Sequence, residues 1–247
     1  AKMAAVSKGG IVRFASKARP FPSLLCVPGL YQRPVWPTES IPWMGALRAA
    51  IPDIVAEYKA VAEAGTLQND YSLKDGEATL HKAGSTAEPD VSDAGRWEWL
   101  SYVQQGRRNA AFAAECPRTV EALESIPDFM PSAGAMPFSY AFFSVMHPGT
   151  AIESHFGPTN ARLRVHVPII VPDGEQAKLT IAGEELPWRE GEPVVFDDSF
   201  EHAARNDSPA QERVLLLFDI WHPHLSRSER ESMCAMFDDA RQKGWLS

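Results

Sequence analysis

Residues 161–171 read ARLRVHVPIIV, and residues 213–221 read RVLLLFDIW. Apolar runs this short, rich in branched side chains, have the texture of β-strands. Three more share it: FSYAFFSVM (138–146), AKLTIAG (177–183) and EPVVFDD (192–198). Gly, Pro, Asn and Asp punctuate the intervals between them. Several short strands with frequent turn signals predict a β-barrel or jelly roll.

Outward from that core the period changes. Between about 43 and 64, Leu47, Ile51, Ile54, Val55, Tyr58 and Val61 recur at helical spacing, and Gly65 follows as a stop. Residues 117–127 (PRTVEALESIP) predict a short helix with Pro117 near its start. From Ser226 to Lys243 a third helix is expected, with Ser226 and Glu229 as a capping box, Met233, Met236 and Phe237 on one face, and Gly244 at its end. The Pro-rich stretch 20–42 reads as extended chain, and the polar stretch 66–95 as loop. The expected organisation is a basic, extended N-terminal segment (1–26) and a single domain (27–247). That domain has a helical part to about 135, a β-core over about 138–221 and a C-terminal helix over about 226–243. The class is mainly β with flanking helices.

Bulk properties exclude several functions. The formal net charge is −8, and no basic patch surrounds the residues of interest, which argues against a nucleic-acid partner. No apolar run approaches the roughly 18 residues of a membrane span. Cys26, Cys116 and Cys234 lie far apart without CxxC spacing, so they read as buried free thiols rather than a disulfide framework, which fits a reducing, intracellular setting. The first 38 residues carry Lys2, Lys8, Arg13, Lys17, Arg19 and Arg33 but no acid. An ordinary surface segment is the favoured reading, with a cytoplasmic protein; a transit-peptide remnant, with an organellar one, is the alternative. The oligomeric state is not legible.

The strands also carry groups that are expensive to bury. Residues 147–166, HPGTAIESHFGPTNARLRVH, hold His147, His155, His166, Arg162 and Arg164. Side chains alternate along a strand, so Arg164 and His166 share one face and Leu163, Val165 and Val167 the other. Taken alone, that strand favours solvent for the polar pair; the other choice is an interior where they meet an anion. Downstream, Asp197-Asp198 end an apolar run, His202 follows, and Arg213 opens the next run, well placed to grip a carboxylate. Non-haem Fe(II) oxygenases hold their metal with two His and one carboxylate, commonly as His-x-Asp/Glu. Here His155-Phe156-Gly157 lacks the carboxylate, so the residues themselves define a two-histidine site.

At this point the sequence resembles the aspartyl/asparaginyl β-hydroxylase family of 2-oxoglutarate-dependent oxygenases. The resemblance rests on SVMHPGTAIESHFGPTNARLRVHVPIIVP (144–172), VVFDDSFEHAARND (194–207) and ERVLLLFDIWHP (212–223), with weaker matches in VPGLYQRPVW and RWEWLSYVQQGRRN. It implies a double-stranded β-helix core (jelly-roll, cupin-like), an oxygenase domain, Fe(II), the co-substrate 2-oxoglutarate, and O2. The family has Gly at the carboxylate position, which Gly157 matches. The resemblance casts His155 and His202 as metal ligands and Arg213 as the arginine on a co-substrate carboxylate. Ser144, Arg164, His166 and Trp97 match further co-substrate contacts. Metal binding needs neutral imidazoles, so activity should fall at acid pH.

Other polar residues have plainer expectations. His147 is a structural hydrogen-bonding group, His81 is solvated in its loop, and His222 and His224 stand apart from the metal. Asp197 and Asp198 are turn and capping groups, and Asp219 pairs with an arginine or a backbone donor. The animal members' helical-repeat region has no counterpart, so the substrate stays open: an amino acid, a peptide, a lipid acyl group or a small metabolite. Two competing readings are a halogenase that fills the vacant carboxylate position with halide, and a barrel that binds a metal or anion without turnover.

Overall fold

The computed structural model describes residues 19–70, 81–83, 96–130 and 136–245. The basic stretch before Arg19 lies outside them. Among the described residues the α-helices are α1 (Met44–Ala64), α2 (Ala110–Glu115), α3 (Pro117–Glu124) and α4 (Arg227–Gln242). The strands are β1 (Val35–Trp36), β2 (His81–Ala83), β3 (Trp97–Gln104), β4 (Arg107–Arg108), β5 (Ala141–Met146) and β6 (Thr150–His155), followed by β7 (Arg162–Ile170), β8 (Ala177–Ile181), β9 (Glu184–Pro187), β10 (Val194–Phe196), β11 (His202–Asn206) and β12 (Arg213–Trp221).

They form two antiparallel sheets, ordered β1-β10-β7-β12-β5-β3-β4 and β2-β6-β11-β8-β9. From β5 to β12 the chain passes between the sheets so that β10-β7-β12-β5 face β6-β11-β8-β9. This winding is a double-stranded β-helix, as expected. Strands arise where none was expected, among them β4, which pairs with β3. β3 pairs along β5 in the major sheet although it lies in the part expected to be helical, and β2 pairs with β6 inside the expected loop.

The two faces of the major sheet divide the sequence by chemistry. Its outer face is covered by α1, α2 and α3. Leu163, Val165 and Val167 of β7, with Val214, Leu216, Phe218 and Ile220 of β12, share one core with Leu47, Ile51, Ile54, Tyr58 and Val61 of α1. Each fully buried aliphatic side chain there contributes about 1.5–3 kcal/mol. With the apolar alternates under the helices, Arg162, Arg164 and His166 must face the other sheet. The solvent reading of Arg164 and His166 is thereby corrected: both point into the space between the sheets, and His166 is buried. β12 is buried on both faces along its whole length, which is why it reads as a continuous apolar run.

Gly65 ends α1 in the left-handed conformation, with φ 63°. α4 begins with the expected Ser226–Glu229 capping box. It packs through Met233, Cys234 and Phe237, while Met236 points outward, a correction to the expected stripe. Cys116 and Cys234 are buried but Cys26 is exposed, because it lies on an extended strap over the surface. That strap binds two loops. Ser23 N donates to Gly157 O, Leu25 N to Pro158 O, and Phe21 N to Ser199 O. Asn160 clamps Val27 at both ends, its Oδ1 accepting from Val27 N (2.7 Å) and its Nδ2 donating to Val27 O (2.8 Å). Among the described residues no helix is long and apolar enough to cross a membrane.

Candidate active site

His155 ends β6 and His202 opens β11, and the two are direct cross-strand partners despite lying far apart in sequence. Their ring centroids are 4.1 Å apart. Each Nδ1 lies against a carbonyl two residues earlier: Glu153 O at 2.8 Å and Phe200 O at 2.9 Å. A carbonyl accepts only, so each Nδ1 carries the proton and each Nε2 the lone pair. Burial lowers both pKa values, and the His155 imidazole adds to the effect on His202, whose value falls to about 3. Both rings are therefore neutral near pH 7. Among the described residues no set of three or more His, Cys, Asp or Glu side chains clusters for a metal, so this pair stands without a carboxylate ligand.

Gly157 shows why the carboxylate is missing. A Cβ built there would meet the Asp198 carboxyl group at 2.5 Å, and Gly157 N donates to Asp198 O at 2.6 Å. No side chain fits at position 157 without moving Asp198. That aspartate is fixed in turn: Arg162 Nη2 reaches its Oδ2 at 2.5 Å, and Arg164 Nη1 approaches at 3.6 Å. Burial alone would raise its pKa, but the two guanidinium groups outweigh that and hold the carboxyl well below the usual range. Both arginines also pair with Asp219: Arg162 Nη1 to Oδ2 at 3.0 Å and Arg164 Nε to Oδ1 at 2.9 Å. Tyr140 N donates to Asp219 as well. Arg162 further donates to Phe138 O. Asp219 thus takes both kinds of expected partner. Asp198 departs from expectation, holding arginines instead of capping a turn. Asp197 does cap the turn, its Oδ1 accepting from Ser199 N and Oγ.

The inner end of the recess is different. Arg213 is fully buried, and among the described residues no carboxylate lies within ion-pair distance of it. Burial lowers its pKa to about 9. Its Nη1 donates to Ser144 Oγ (3.2 Å), which also accepts from Trp97 Nε1 (2.9 Å). Both of those groups can only donate, so the single Ser144 O–H proton has no acceptor among the described residues. Arg213 Nε and both nitrogens of His166 lack partners too. Burial, then the Arg213 charge, keeps the His166 pKa well below the ordinary value. Trp188 packs its ring 4.8 Å from the guanidinium carbon. These groups, with His155, His202, Arg164 and apolar neighbours, line one partly open recess between the sheets.

All seven sequence candidates, Trp97, Ser144, His155, Arg164, His166, His202 and Arg213, line this one recess. Sequence reasoning missed Asp198, Arg162 and Trp188. The alternation that pairs Arg164 with His166 also includes Arg162, a usable signal; nothing local marked Trp188. His147 faces Glu98 at 3.4 Å. His222 is engaged by Tyr31 O and His224 N.

A cupin-like β-helix carrying an imidazole pair on its minor sheet is the class of protein this architecture defines. Comparison with known sequences goes further: the model of the aspartyl/asparaginyl β-hydroxylase family matches residues 48–223, and the chain belongs to that family. It is 36% identical over 165 residues to the human aspartyl/asparaginyl β-hydroxylase, covering 66% of this chain and 21% of that protein. Mouse aspartate β-hydroxylase domain-containing protein 2 is 34% identical (66% and 48% covered), and mouse domain-containing protein 1 is 33% identical (87% and 56% covered). The chain thus spans between about a fifth and a little over half of these curated relatives. Among solved structures it overlaps a cupin 2 conserved barrel domain protein from Salinispora arenicola at 15% identity and TM-score 0.28 (41% and 71% covered). The fold class stands on the strand order.

Proposed function

We propose that the chain is an Fe(II)- and 2-oxoglutarate-dependent dioxygenase that hydroxylates an unactivated C–H bond of a small molecule or peptide. One observation carries the reading: beside two neutral imidazoles, the buried Arg213, Ser144 and His166 present polar groups with no acceptor among the described residues. A dianionic keto acid supplies the missing acceptors, and a divalent cation suits the paired Nε2 lone pairs. The names of the relatives support hydroxylation as the outcome.

His155 and His202 would hold the iron through Nε2, with the Nδ1–carbonyl bonds orienting both rings. Arg213, with Ser144 and Trp97, would hold a carboxylate of 2-oxoglutarate, while Arg164 and His166 would contribute further contacts. When bound, iron, 2-oxoglutarate and O2 supply the oxidative power that breaks the C–H bond. The protein's part is to seat these groups, keep the imidazoles neutral and exclude bulk water with the apolar walls. The Asp198 carboxyl group already fills the space beside Gly157 where a halide would have to bind, which favours hydroxylation over halogenation.

The test is succinate release from 2-oxoglutarate by the iron-loaded chain, assayed with a panel of amino acids and Asp- or Asn-containing peptides. The wild type should release succinate, and His155→Ala and His202→Ala should each abolish it. Retained turnover in both variants would contradict the reading. Co-substrate binding with no succinate across the panel would favour a non-catalytic barrel.

A further inference from the structure

Resting on that co-substrate reading, we infer that Trp188 is a binding residue that sets the length of the 2-oxo diacid the recess accepts. Trp188 follows β9 in the loop that carries the chain from the minor sheet to the major one, and it is 3% exposed. The loop is pinned to β7 by Gly191 N donating to Pro168 O (3.0 Å), and to the residue just beyond it by Glu190 Oε1 accepting from Val171 N (3.0 Å). The indole is also wedged into a core with Leu179, Ile181, Phe196 and Leu215. It has no freedom to swing away.

Its position decides where the anion ends. The Arg213 guanidinium is held on one side by Ser144, through Oγ and the backbone carbonyl, and on another by the Trp188 ring face at 4.8 Å. The same indole lies 5.8 Å from the His166 ring, so it spans the two polar groups of the inner end. A cation over an indole face gains stabilisation that grows on desolvation, and among the described residues Arg213 has no carboxylate to provide it otherwise. The guanidinium therefore cannot retreat from a longer ligand without displacing a packed tryptophan. With the keto-acid end anchored at the imidazole pair, a guanidinium held in place fixes the span that the diacid chain has to bridge. The Trp188 N–H is itself buried without a hydrogen-bond partner among the described residues.

The experiment compares 2-oxoglutarate with its six-carbon homologue, 2-oxoadipate, by calorimetric titration of the Zn(II)-loaded full chain, which binds without turnover. One methylene in a tight pocket discriminates by about 10- to 200-fold, so the wild type should prefer the five-carbon acid by at least about tenfold. Trp188→Phe makes room while keeping a ring face, and should cut that preference to near unity. Trp188→Leu also removes the ring, and should weaken 2-oxoglutarate a further two- to fivefold or so. A purely structural tryptophan would lower Tm and leave the ratio of the two affinities unchanged; an unchanged ratio in Trp188→Phe overturns the inference even if Trp188→Leu fails to fold. If the wild type binds neither diacid, the co-substrate reading itself fails and this inference with it.

Discussion

The recess holds buried arginines at both ends, but the ends are balanced differently. Around Gly157, Arg162 and Arg164 face Asp198 and Asp219, two cations against two anions, closed by Tyr140 N and Phe138 O. At the other end Arg213 faces Ser144 and Trp188, and among the described residues no anion answers it. A buried charge network that is complete holds positions; a buried cation left without a counter-charge is stable in function only with a ligand that brings one. The first region is thus a frame for the ligand-bearing loops, and the second is a socket.

That contrast can be broken most severely by Arg162→Leu. It leaves Asp198 and Asp219 with Arg164 alone and should cost about 3–5 kcal/mol in urea unfolding. Arg213→Met should behave oppositely: ligand-free stability held or raised, with 2-oxoglutarate affinity down by about a hundredfold, or roughly 3 kcal/mol. If Arg213→Met destabilises as much as Arg162→Leu, the two regions are not different in kind.

Asp197 sharpens the frame side through pH. Burial raises its pKa from 3.8 to about 7. The folded state then keeps a proton that the unfolded chain has lost, so the group's stabilisation is complete below 3.8 and drains away as pH rises towards 7. Asp197→Asn keeps the Oδ1 acceptor for Ser199 and removes the titration. Its stability relative to wild type should therefore climb by about 2 kcal/mol between about pH 5 and 6.5. An identical difference at both pH values would count against an uncharged Asp197. The smallest expected effect is Ser144→Ala, which takes from Trp97 Nε1 and Arg213 Nη1 the hydroxyl they share and should weaken 2-oxoglutarate by about tenfold at a stability cost of about 1 kcal/mol.

Much of this was legible in the sequence, for reasons that also mark where legibility ended. Turn residues and apolar runs are local, so β5, β7, β8, β10 and β12 could be read directly, and α1 announced itself by its stripe and Gly65. β3 was hidden because Trp97–Gln104 has no alternation to separate it from a helix, and only its pairing with β5 makes it a strand. The inward turn of Arg164 and His166 depended on α1 covering Leu163, Val165 and Val167, a long-range fact no strand contains. The His155–His202 pair was legible in the residues themselves as a two-histidine site, and the resemblance then cast both as metal ligands. Asp198 did not, because its role follows from Gly157 lying against it, and Trp188 was invisible until β9 and β10 were placed.

The central claim is that two imidazoles and one socket serve a single bound complex. A crystal structure of the chain with Zn(II) and 2-oxoglutarate, read by anomalous scattering at the zinc edge, tests it directly. The account predicts one metal peak roughly 2.0–2.1 Å from the Nε2 atoms of both His155 and His202, with a carboxylate of the keto acid paired to Arg213. A peak that touches only one of the two rings, or a keto acid lodged away from Arg213, would contradict it.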